Sequence, residues 1–213
     1  NQRKPKAVVV DATAVYWLTE KLVERAPKKG GGTEFVVKDP ARLNRFDKAT
    51  GQVSALASGF DMAHYLVIDA EALYVGSRSW GNDGIVKVPK DGSASTQLVK
   101  KDDAKVEDIA LDDTHVFWTH GDGKVMKVPK AGGKPVLVYA GRTLKPNELS
   151  TIGDLAVDAS GAYFADSGQF VRTRQGDRWV VDQQPGFVKG VKTTGGKPTL
   201  FVYDLKYPKS MAT

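Results

Sequence analysis

"DDTHVFWTH", residues 112–120, sets two acids, two histidines and a tryptophan within nine positions, a composition that resembles the start of an active site. The stretch recurs, however. "VVVDATAVYW" (8–17), "LVIDAEALYV" (66–75), "IALDDTHVFW" (109–118) and "LAVDASGAYF" (155–164) align without gaps. Each has apolar residues three and one positions before a fixed aspartate, and these aspartates are Asp11, Asp69, Asp112 and Asp158. An aromatic residue stands five positions after each of them. Alternating apolar residues, a short turn of acid and small residues, then a second apolar run is the pattern of a β-hairpin. A carboxylate in such a turn accepts hydrogen bonds from nearby backbone N–H groups, and four equivalent copies favour that role over a ring of metal ligands or catalytic acids. His115 stands where the other copies have Ala14, Ala72 and Gly161, so no histidine role runs through the repeats. His120, just past the second strand, is unique and stays a candidate binding residue.

A second hairpin follows the first. "GIVKVPKDGSASTQLVK" (84–100) and "GKVMKVPKAGGKPVLVY" (123–139) read as strand, Pro-Lys-Gly turn, strand. The pattern returns at 21–37 and 186–203, and more loosely at 42–59 and 168–181. Four first hairpins therefore meet six second hairpins. The fixed aspartates are 58, 43 and 46 residues apart, which gives the first repeat an extra hairpin, and the fourth carries one as well. Four antiparallel strands every ~40 to 45 residues is the period of a β-propeller blade, which buries both sheet faces only when neighbours stack on it. The expected fold class is all-β, a propeller of four-stranded antiparallel blades, with repeats at about 4–60, 61–103, 104–148 and 149–206. A β-sandwich or β-helix fits the aspartate spacing less well. "YPKSMAT" (207–213) aligns with "KPKAVVV" (4–10) and reads as the start of a further repeat, so the expectation is a part of a longer propeller, with a complete four-bladed ring as the alternative.

The motif D-x-x-x-V-Y-W followed by G-x-V-x-K-V-P-K-x-G-G resembles the repeats of TolB-like, six-bladed β-propeller proteins of bacterial envelopes. The resemblance implies a periplasmic or extracellular location and a role as a scaffold or structural subunit. It is specific for fold and weak for function, because propellers host enzymes, lectins and scaffolds alike.

Composition narrows the partners. Hydrophobic residues make up 41% and charged residues 26% of the 213, as in an ordinary folded protein. No apolar run reaches the ~18 residues of a membrane-spanning helix, and the polar "NQRKPK" start has no signal-peptide pattern, which leaves a cytoplasmic chain or one whose leader has been removed. The absence of cysteine excludes disulfides, thiolate metal sites and a cysteine nucleophile. The net charge of +6 comes from lysines scattered through turns, without the clustered basic stripe of a nucleic-acid surface, so no nucleic-acid partner is expected.

In the blade arrangement that the resemblance implies, the hairpin turns share one face, and the irregular connections share the other: 18–41, 60–65, 76–84, 100–106, 119–123, 140–152 and 166–185. Irregularity on a regular scaffold is where binding concentrates. The candidate residues there are Arg78, Trp80, His120, Asp122, Arg142 and Trp179. Trp80, in the polar loop "SRSWGNDG", is the leading exposed aromatic. "RQGDRW" (174–179) joins two arginines and Trp179 in a form that suits an anionic or sugar ligand, or simply an exposed hairpin tip. Trp17 and Trp118 hold equivalent strand positions and are assigned to packing between blades. There is no G-x-S-x-G elbow, H-E-x-x-H pair, Walker loop or strand-linked G-x-G-x-x-G, and no cofactor or metal is expected. The favoured function is a non-enzymatic scaffold that binds protein partners through its loop face. The alternative is a carbohydrate-binding or carbohydrate-cleaving propeller, a lectin or lyase, with a glycan as ligand.

Overall fold

A computed structural model of the chain describes residues 5–20, 22–27, 33–39, 41–77, 84–100, 104–141, 148–175, 178–183 and 185–205. The chain divides into two compact units, Asn1–Lys105 and Val106–Thr213. Among the described residues no helix is long and apolar enough to cross a membrane.

The first unit holds ten strands: β1 (Pro5–Val10), β2 (Ala14–Thr19), β3 (Leu22–Pro27), β4 (Thr33–Asp39), β5 (Ala41–Asp47), β6 (Val53–Phe60), β7 (Ala63–Ile68), β8 (Ala72–Ser77), β9 (Ile85–Pro89) and β10 (Thr96–Val99). They form a sheet β1-β2-β5-β6, a sheet β7-β8-β9-β10 and the separate pair β3-β4, all antiparallel. The extra hairpin of the first repeat is thus the β3-β4 pair, set outside its blade.

In the second unit, β11 (Val106–Leu111), β12 (His115–His120), β13 (Lys124–Pro129) and β14 (Val136–Tyr139) make the third blade. The fourth blade is β15 (Glu148–Val157), β16 (Ala162–Gln175), β18 (Gly186–Val191) and β19 (Thr199–Leu205), and β17 (Arg178–Gln183) pairs with the extension of β16. The hairpin read at 168–181 is present as the end of β16 paired with β17, while 140–152 and 166–185, expected as irregular connections, are in part regular ladder: Leu149 faces Phe170, and Phe170 faces Gln183. The reason lies in strand formers such as Phe170, Val171, Thr173, Val180 and Val181, which carry pairing past the end of an ordinary blade strand.

Each innermost strand is paired through a register shift that begins six residues before its fixed aspartate, at Pro5/Ala7, Ala63/Tyr65, Val106/Asp108 and Ile152/Leu155. Such bulges bend the strand and increase its twist, here at the same place in every repeat. In the first unit β1 lies beside β7, and Tyr16, Leu18 and Leu43 of the first blade share a buried core with Leu66, Leu73, Val75 and Val88 of the second. In the second unit β11 lies beside β15, and Phe117, Val138 and Tyr139 are buried with Leu155, Phe164, Phe187 and Val191. Each blade therefore has a forward face, carrying the residue five positions after its aspartate, and a rear face, carrying the residue six positions after it. Within both units the forward face of the earlier blade packs on the rear face of the later one.

Candidate interaction site

The four fixed aspartates close their turns in the same way. Asp11 Oδ1 accepts the N–H of Thr13 (2.8 Å), the N–H of Ala14 (2.9 Å) and the Thr13 hydroxyl (2.9 Å). Asp69, Asp112 and Asp158 accept the equivalent backbone pairs from Glu71 and Ala72, Thr114 and His115, and Ser160 and Gly161. Each aspartate also donates its own N–H to the carbonyl three residues on. The aromatic spacing has a further use, since Tyr16 donates to Asp11 Oδ2 (3.2 Å) and Tyr74 to Asp69 Oδ2 (2.9 Å). The opening motif is architecture.

One of these carboxylates also links two blades. Lys90, just after β9, donates to Asp11 Oδ2 at 2.8 Å and lies 5.9 Å from the centre of the Tyr16 ring. That ammonium, with the turn donors, holds the Asp11 carboxyl well below the usual carboxylate range despite partial burial. Burial is the largest cause raising the Tyr16 and Tyr74 hydroxyls, with the adjacent carboxylates acting in the same direction.

Of the loop-face candidates, the structure brings His120 and Asp122 together at the β12–β13 connection, opposite the aspartate turn. His120 Nδ1 lies 2.5 Å from Asp122 Oδ1, and Lys124 pairs with Asp122 Oδ2. Burial works to raise the Asp122 carboxyl, but the hydrogen bonds from Lys124 and His120 outweigh it and keep it ionised. Trp179 lies on β17 opposite Arg174 of β16. Arg78, Trp80 and Arg142 lie outside the described residues. Among the described residues no group of three or more His, Cys, Asp or Glu is placed to hold a metal ion.

The rear face of the first blade carries a surface that sequence reading missed. Val8, Val10, Val15, Trp17 and Phe46 lie on it, and with Pro5, Lys6 and Ala7 several of them line an open concavity of about 610 Å³. Val8 is 64% exposed, whereas its repeat equivalents Leu66, Ile109 and Leu155 are 7%, 4% and 7% exposed. Trp17 is half-buried, while its equivalents Val75, Trp118 and Phe164 are fully buried. The expectation that Trp17 packs between blades is therefore not met, because this face is uncovered. No local signal marks the difference, since Val8 and Leu66 are equally apolar. An exposed apolar patch of this kind is a site for association with another protein surface.

No protein-family model matches the sequence, and no curated protein matches it. Among solved structures, the computationally designed Ika8 protein is similar over 95% of this chain and 72% of its own, at 15% identity and a TM-score of 0.47. The N-terminal domain of Nup159 is similar over 96% of this chain, at 12% identity and a TM-score of 0.56. The chain spans about half the length of that structure, 51%. At such low identity the likeness bears on fold alone, and with the repeated four-stranded antiparallel sheets it shows a β-propeller fold.

Proposed function

We propose that this chain is a protein-interaction scaffold that docks partners on the open rear face of its first blade. The observation that carries the reading is the apolar row Val8, Val10, Val15, Trp17 and Phe46, which has the composition of a buried blade face but lies open. Association that covers such a row removes apolar surface from water at ~25 cal/mol per Å². The four fixed aspartates support a non-enzymatic role, because their turn-facing oxygens are occupied by backbone donors. Placement in a bacterial envelope, outside the cytoplasm, follows the TolB-like repeat motif and is tested by cell fractionation. Arg78, Trp80, His120, Asp122, Arg142 and Trp179 are proposed as a secondary, polar contact set at the loop face.

The test compares affinity captures made with the native chain and with Val8→Lys. Proteins that bind the native chain should be lost selectively from the variant while its far-ultraviolet spectrum stays the same. An unchanged set of bound proteins would remove this face from the reading.

A further inference from the structure

The two blade contacts inside the chain define what covers a rear face. In the first unit the occupant is a forward face that presents an aspartate turn and the aromatic five residues on. Asp11 receives Lys90, and Tyr16 is buried in the core shared with Leu66, Leu73, Val75 and Val88. The strand registers put Lys48 of the first blade at the position of Lys90, since Asp47 faces Ala14 as Pro89 faces Ala72. The main-chain bonds agree: Lys48 donates its N–H to Thr13 and Lys90 donates its N–H to Glu71. Lys48 directs its ammonium to the main-chain carbonyl of Asp11 (2.6 Å) and is exposed.

The fourth blade carries the complementary surface on its forward face. Asp158 is the exposed member of the four fixed aspartates, its Oδ1 holding the turn while Oδ2 takes no hydrogen bond among the described residues. Tyr163 is half-buried where Tyr16, Tyr74 and Phe117 are buried. Phe201, the bulged residue of β19, is 56% exposed, whereas the corresponding bulged residues Leu98 and Val138 are 7% and 4% exposed. Its ring lies 5.7 Å from that of Tyr163, over Gly190, where a Cβ would fall 2.6 Å from the Phe201 ring. Glycine there, in place of the Arg45, Lys87 and Lys127 of the other blades, opens this face to an apolar partner.

We propose that the rear face of the first blade docks the forward face of the fourth blade of a second copy of this chain, with Lys48 reaching Asp158 of that copy as Lys90 reaches Asp11. This rests on the reading of the first-blade face as a docking surface and names its occupant. Because the two faces differ, the contact is heterologous, head-to-tail.

Sedimentation velocity of the full chain across a dilution series tests it. The native chain should grow in mass with concentration. Val8→Lys and Phe201→Lys should each run as the 23.0 kDa monomer, and an equimolar mixture should give a 1:1 complex of twice that mass, because each variant retains the face that the other lacks. Lys48→Glu should weaken association about tenfold or more, and Asp158→Asn, which keeps a turn acceptor, should weaken it through the lost charge. A native chain that stays monomeric throughout, or single variants whose mixture does not associate, would overturn the second copy as occupant. If Val8→Lys still loses protein partners in that case, the docking reading stands and only the occupant is wrong.

Discussion

The carboxylate of Asp11 collects three donors on Oδ1 and two on Oδ2, one of them from Lys90, 79 residues away. Tyr16→Phe removes one of these bonds from a buried site and should lower stability by about 1 kcal/mol, as read from the urea midpoint. Lys90→Met should lower it by a similar ~1 kcal/mol and let the Asp11 titration, followed by NMR, move up toward the ordinary carboxylate range. An Asp11 titration unchanged in that variant would show that the pair does not form. The local half of this residue's role was legible in the sequence, because the aspartate, its turn donors and the aromatic five positions later lie within one hairpin. The lysine was visible in each Pro-Lys turn but carried no meaning there, since the hydrogen bond exists only once two blades stack. The loop-face residues illustrate the same limit. His120 and Asp122 meet because they flank one tight connection, whereas no sequence rule tied them to Trp179 on a different blade.

At the level of strands, Asp108 on β11 joins two neighbouring blades. Its Oδ1 accepts the N–H of Ile109 (2.8 Å) and its Oδ2 accepts the N–H of Leu155 on β15 (2.7 Å). Burial pushes its carboxyl up to about 6, against the two N–H donors, and Asp154 adds to the rise. Between about pH 4 and 6 the folded chain holds a proton here that the unfolded chain has lost, so this group makes stability fall as pH rises through that window, by about 3 kcal/mol. Asp108→Asn should flatten the fall, and urea midpoints at pH 4 and pH 7 measure it. An equal fall in the variant would assign the effect to another group. Asp11 acts in the opposite direction at lower pH: its contribution is present above about pH 4 and is lost as the solution is acidified below that. The sequence announced the strands themselves through alternation and turn residues. It did not announce that β16 would continue to Gln175, because a run such as Phe170–Thr173 suits an exposed hairpin and an extended ladder equally well.

For the whole molecule, the repeat pattern made the blades legible, but it could not tell which blade faces are covered. Equivalent residues keep the same apolar character whether or not a neighbour lies on them, and exposure is set by stacking. Two substitutions at one repeat position expose the difference. Val8→Ala should cost well under 1 kcal/mol, while Leu66→Ala should cost about 2 to 5 kcal/mol because it leaves a cavity in the core shared by the first two blades. Thermal or urea unfolding of the two variants side by side checks this. Oxidative labelling of tryptophan, read by mass spectrometry across a dilution series, reports whether the rear face of the first blade becomes covered on association. The expected result is that Trp17 labels strongly in dilute solution and becomes protected as concentration rises, while Trp118 stays unlabelled throughout. A Trp17 protected at every dilution, or labelled equally at every concentration, would contradict it.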